Sequence, residues 1–143
     1  MSNIAKITVA VASALLLFVP AALSQSGKKL NVKVAYRGAG EVDAGSPIHL
    51  YLFDTPNISE GSMPVGWTSV SENGSVATFQ GLNYATVYLV GAYGSYDAAS
   101  GPPPSGTPVA LFRPGDPAGA TPIALAKEET EISFEFDDSF RMP

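Results

Sequence analysis

His49 is the only histidine in this 143-residue chain, and there is no cysteine. A Ser–His–Asp relay would have to use that one imidazole. No Gly-x-Ser-x-Gly elbow is present to hold a nucleophilic serine. His49 lies between Ile48 and Leu50 in an alternating segment, so it is expected on the opposite face from them, as a strand-surface histidine. The remaining candidates for chemistry are carboxylates: Glu41, Asp43, Asp54, Asp97, Asp137 and Asp138. Asp137 and Asp138 are adjacent and could be oxygen ligands for Ca²⁺. Calcium takes about six to eight oxygens, and no Asp-x-Asp-x-Asp loop with its glycine supplies the rest. The competing expectation is a strand-end turn in which these two carboxylates accept from nearby backbone N–H groups. No catalytic residue is assigned, and no cofactor beyond this calcium is expected.

The segment Tyr93 to Gly106 carries the candidate binding residues Tyr93, Tyr96, Asp97, Pro102, Pro103 and Pro104. Loops on a rigid scaffold are favoured places for binding residues. A triple proline is already extended, which lowers its ordering cost on contact. Tyr96 and Asp97 add an aromatic and a polar group. The alternative is a stiff connector between sheets.

The elements around these residues read as strands. Leu30, Val32, Val34 and Tyr36 alternate with Asn31, Lys33 and Ala35, then Arg37-Gly38-Ala39-Gly40 ends the run. Ile48, Leu50 and Leu52 alternate with His49, Tyr51 and Phe53. Trp67 to Ser71 and Ser75 to Phe79 flank Glu72-Asn73-Gly74, and Asn-Gly between such runs predicts a type I′ hairpin. Thr86 to Tyr93 is apolar on both faces and is placed centrally. Val109 to Phe112 and Pro122 to Ala126 are short candidates, and Glu131 to Asp137 points Ile132, Phe134 and Phe136 inward. The expected fold is therefore all-β: an antiparallel sandwich of seven or eight strands, prealbumin- or immunoglobulin-like, in one domain over 25–143.

The first 24 residues are set apart. Lys6 precedes the apolar run Ile7 to Val19, and Ala22 and Ser24 occupy the −3 and −1 positions of a cleavage site. That pattern predicts a secretory signal peptide over 1–24 and a product that is periplasmic or extracellular. Removing Lys6 from the eight basic residues leaves seven against 13 acidic, a net charge of −6. Seven scattered cations argue against nucleic acid or an anionic membrane surface as partner. No second apolar run is long enough to span a membrane.

Val76-Ala77-Thr78-Phe79-Gln80-Gly81-Leu82 followed by Val87-Tyr88-Leu89-Val90-Gly91-Ala92-Tyr93 resembles the F-x-G-L … Y-x-(V/L) core of prealbumin-like β-sandwich modules. These include carboxypeptidase regulatory-like domains and the B-type repeats of surface adhesins. The resemblance covers about Leu30 to Tyr93 and implies a structural, adhesive or accessory module. It also raises a transthyretin-like small-molecule hydrolase as the alternative. Those enzymes carry a C-terminal Tyr-Arg-Gly-Ser, whereas Tyr36-Arg37-Gly38-Ala39 ends the first strand here and has Ala in place of Ser. Adhesin modules also suggest a Lys33–Asp137 crosslink, but Lys33 alternates to the polar face. The expectation is a non-enzymatic exported module that contacts a protein or cell-envelope partner through its loops or serves a structural role.

Overall fold

A computed structural model describes residues 27–59, 61–114 and 119–143. The segment expected as a signal peptide lies outside the described residues. Eight strands follow in order: β1 (Lys28–Tyr36), β2 (Ile48–Phe53), β3 (Gly66–Val70), β4 (Val76–Leu82), β5 (Thr86–Tyr93), β6 (Val109–Leu111), β7 (Ile123–Ala124) and β8 (Glu129–Phe136). They form two facing sheets. One has the order β4-β1-β8, the other β3-β2-β5-β6, with β7 also pairing with β5. The all-β expectation holds, and β5 is central as its two apolar faces required.

The period-2 pattern explains the interior. Leu30, Val32 and Val34 of β1 meet Ile48, Leu50 and Leu52 of β2, with Phe79, Leu82, Val87, Leu89, Phe134 and Phe136 filling the space between the sheets. Burying each such side chain contributes about 1.5–3 kcal/mol against the entropy of ordering the chain. Gly91 faces this core where a Cβ would stand 2.7 Å from a ring carbon of Phe134, so its lack of a side chain admits the phenyl ring.

Three expectations need correction. The sandwich is not wholly antiparallel, because β1 and β8 pair in parallel from Lys29↔Glu129 to Tyr36↔Phe136. The chain returns from β7 to the end of the sheet where β1 begins, and Lys29 N–H donates to Glu128 C=O at 2.9 Å. Turn signals govern only consecutive strands, and these two are separated by nearly the whole chain. That register also sets Lys33 opposite Ser133.

Asn73-Gly74 does not close a hairpin, because β3 and β4 belong to different sheets. Gly74 has φ +81°, but no described non-glycine residue has positive φ, so the type I′ geometry is absent. Instead the Asn73 carboxamide mimics a strand residue. Tyr36 N–H donates to Asn73 Oδ1 and Asn73 Nδ2 donates to Tyr36 C=O, both at 2.8 Å. Gly74 N–H donates to Val34 C=O at 2.9 Å, and Val34 N–H to Ser75 C=O at 3.0 Å. The turn thus prolongs the β4 ladder along β1 while carrying the chain from one sheet to the other.

The third correction concerns His49. It does lie on the face of β2 opposite Ile48 and Leu50, but that face is covered and the residue is only 3% exposed. Tyr51, Phe53, Ala92 and Val109 form a second apolar cluster there, with Ile58, Tyr96, Ala98 and Met142 packed over it. The chain end is part of this cover. Val109 N–H donates to Phe140 C=O at 3.1 Å and Met142 N–H to Thr107 C=O at 2.9 Å.

Candidate functional site

The loop from Tyr93 to Gly106 begins where β5 leaves its sheet. Gly94 N–H donates to Pro47 C=O at 3.2 Å. Gly94 C=O in turn lies 3.0 Å from His49 Nε2. A carbonyl only accepts, so Nε2 carries the imidazole proton. His49 Nδ1 is then the acceptor for the Ser69 hydroxyl, 2.8 Å away on the neighbouring strand. Burial lowers the pKa of this imidazole, opposed by the Gly94 carbonyl and by Asp97. The neutral ring therefore acts as a two-ended strut between β3 and the loop.

Tyr96 closes over that strut. Its ring centroid is 4.3 Å from that of His49. Its hydroxyl is 2.6 Å from the Tyr51 hydroxyl. Burial raises the pKa of both phenols, so the pair stays protonated well beyond neutral pH. Asp97 caps a short 3-10 turn, Ala98–Ser100, by accepting from Ala99 N–H at 3.0 Å. Beyond Gly101 the prolines emerge: Pro102 and Pro104 are exposed and Pro103 is half-buried. Thr107 N–H donates back to Pro104 C=O at 3.1 Å and ends the excursion.

Tyr93 goes elsewhere. Its ring stacks on Tyr36 at 4.0 Å between centroids. Its hydroxyl donates to Glu41 C=O at 2.6 Å. Of the six candidate binding residues, then, Tyr93 and Tyr96 anchor the two sides of the loop base and the Asp97 carboxylate holds a turn. The prolines form the outward tip.

Asp137 and Asp138 turn to different partners. Asp137 accepts from the backbone N–H and hydroxyl of Ser139, which lower its pKa. Asp138 accepts from Ala39 N–H and from the Arg141 guanidinium, each at 3.3 Å. Among the described residues, no group of three or more His, Cys, Asp or Glu side chains could hold a metal ion.

Ser69 and the closing strand-like tail were not singled out from the sequence. One signal was present: Tyr51 and Phe53 share the period-2 face of His49, and two such aromatics on one face imply a cover. Comparison of the chain with protein-family models, curated proteins and solved structures gave no match. Among the described residues, no helix is long and apolar enough to cross a membrane.

Proposed function

We propose that this chain is an exported, non-enzymatic module of the prealbumin-like kind, periplasmic or extracellular after cleavage behind Ser24, that meets a protein or cell-envelope partner through its Tyr93–Gly106 loop. One observation carries this: the loop is clamped at its base by Tyr96 on Tyr51 and His49, while Pro102 and Pro104 stand exposed at its tip. A tip held from beneath loses little entropy on contact. Extended prolines offer an apolar surface and carbonyl acceptors without their own N–H donors.

Capture from a native envelope fraction tests it, using wild type and a variant with Pro102, Pro103 and Pro104 all changed to alanine. The expected result is one partner, identified by mass spectrometry and rebound as purified material, that the variant loses. Identical captures would overturn the proposal. The proposed cleavage is checked separately by sequencing the amino terminus of the exported protein.

The hydrolase alternative draws on one specific contact. Ser69 donates to His49 Nδ1, and a backbone carbonyl orients the other ring nitrogen. That is the arrangement of a serine nucleophile with its general base. Labelling by a fluorophosphonate that disappears in Ser69→Ala would favour hydrolysis; an unlabelled wild type would dismiss it.

A further inference from the structure

In strand order, one sheet ends at β4 and β8 and the other at β3 and β6. An edge strand carries unpaired N–H and C=O groups that template pairing with another chain, and charge or a covering segment blocks that pairing. Two of these four ends are blocked. Along β8, Glu129, Glu131 and Glu135 are all exposed. β6 is only three residues long, and the C-terminal tail pairs at its start, where Gly106 N–H donates to Met142 C=O at 2.8 Å and Val109 N–H to Phe140 C=O at 3.1 Å. Among the described residues, β3 and β4 have neither protection. No charged residue lies between Gly61 and Ser71, or between Gly74 and Tyr96. Instead the two strands expose apolar side chains, each on the outer face of its own sheet: Val76 on β4 is 56% exposed and Trp67 on β3 is 49% exposed.

The backbone of β4 defines what its edge offers. Lys29 and Arg37 of the β1 side donate toward β8, and Val34 donates toward β4, so the even-numbered residues of β1 bond to β4. Their partners are Ala77, opposite Val32, and Phe79, opposite Leu30. The N–H and C=O of Val76 and Thr78 therefore point to the open edge. The regular ladder stops after Phe79, because Gln80 and Gly81 together oppose Lys29 in a bulge with Gly81 at φ +68°. We infer that residues 75–79 pair antiparallel with the same segment of a second copy, joining two three-stranded sheets into one of six. The unbulged run sets the two-fold axis beside Ala77. Val76 of each copy then bonds to Thr78 of the other through both backbone groups, and these β-branched side chains form two cross-strand pairs on the outer face. Ala77 meets Ala77 on the inner face, where small side chains suit the close spacing of a non-hydrogen-bonded pair. Self-complementarity selects a second copy as the occupant, because no charge opposes another in this register. The same operation on β8 would set Glu131 against Glu135 of the second copy, and like charges directly opposite are unfavourable. β3 offers less, with five residues that begin at a glycine. The inference does not rest on the function proposed for the proline loop.

Sedimentation equilibrium of the full chain, as exported, tests this from about 1 μM to about 1 mM. Five paired residues make an interface at the small end of the specific range, so a reversible dimer with a midpoint of about 100 μM is expected. In hydrogen exchange followed by nuclear magnetic resonance, the amides of Val76 and Thr78 are expected to slow as concentration rises, while those of Glu131 and Ser133 on β8 keep their rates. Thr78 is exposed, and its hydroxyl donates to Asn31 Oδ1 on the same outer face at 2.8 Å. Its two copies lie diagonally across the axis, within reach of long side chains. Thr78→Lys and Thr78→Glu are each expected to weaken the dimer by about fivefold with the wild-type circular dichroism kept, and an equimolar mixture to recover the wild-type affinity. A chain that stays monomeric throughout the range would overturn the inference. So would a mixture no tighter than either variant alone. A dimer that survives Thr78→Lys but is lost in Trp67→Lys would overturn it too, and would move the contact to β3.

Discussion

The carboxamide of Asn73 and the backbone of Tyr36 form a closed pair, donor to acceptor in both directions at 2.8 Å. Tyr36 is the last residue of β1 and only 3% exposed. Its amide and carbonyl would otherwise end the ladder without partners. Asn73→Ala is expected to lower the unfolding free energy by about 1–3 kcal/mol, as for a buried backbone group left unsatisfied. Asn73→Asp keeps the acceptor, loses the donor and should fall between. Urea denaturation of the three proteins checks this, and an alanine variant as stable as wild type would refute it.

His49 makes stability depend on pH. Burial holds its folded-state pKa below the ordinary 6.5, so between those two values the unfolded chain binds more protons than the folded one. Its contribution is fully present above pH 6.5 and declines as the pH falls through that window, with a slope of at most about 1.4 kcal/mol per pH unit. Asp137, whose carboxyl is held below 3.8, acts at more acid pH. Denaturation midpoints from pH 7.5 to 5 should therefore fall for wild type and fall less for His49→Gln. Parallel profiles would exclude His49 as the source.

The Tyr51–Tyr96 hydroxyl pair predicts non-additivity. Tyr96→Phe leaves the buried Tyr51 hydroxyl without its partner, at a cost of about 1–3 kcal/mol. Removing both hydroxyls should cost less than the two single changes together. Tyr96→Ala also removes the cover over His49 and should speed proteolytic cleavage within 97–101, ahead of the prolines. Cleavage at the wild-type rate would mean that the loop is held by other contacts.

Gly91 is required by the core. In Gly91→Ala the new Cβ would meet Phe134 at 2.7 Å and Phe136 at 3.2 Å. Overpacking of this kind costs about 1–3 kcal/mol. Phe134→Leu in the same chain should recover part of that loss by removing the crowded ring atoms, a coupling that a double-mutant cycle measures directly.

Much of the architecture was legible from alternation alone. The inward sets Leu30–Val34, Ile48–Leu52 and Phe134–Phe136 follow from a side-chain period of two, which places every second side chain of a strand on one face. The two-faced apolar character of Thr86 to Tyr93 placed β5 centrally for the same reason. The strand partners were less legible. Asn73-Gly74 is a turn by local preference, but its strands separate into different sheets, and the Asn73 side chain pairs with Tyr36, 37 residues away.

The site divides in the same way. That Tyr93 to Gly106 is an excursion, and that Pro102 to Pro104 cannot pair within a sheet, was set by the chain itself, since proline has no N–H to donate. Which side of that excursion faces inward was decided only in three dimensions. Tyr96, Met142 and His49 are distant in sequence and meet because β2 and β5 are neighbours and the C-terminal tail returns to Thr107 and Val109. Covalent spacing dictates local periodicity, whereas contacts between distant segments depend on how whole faces are buried together.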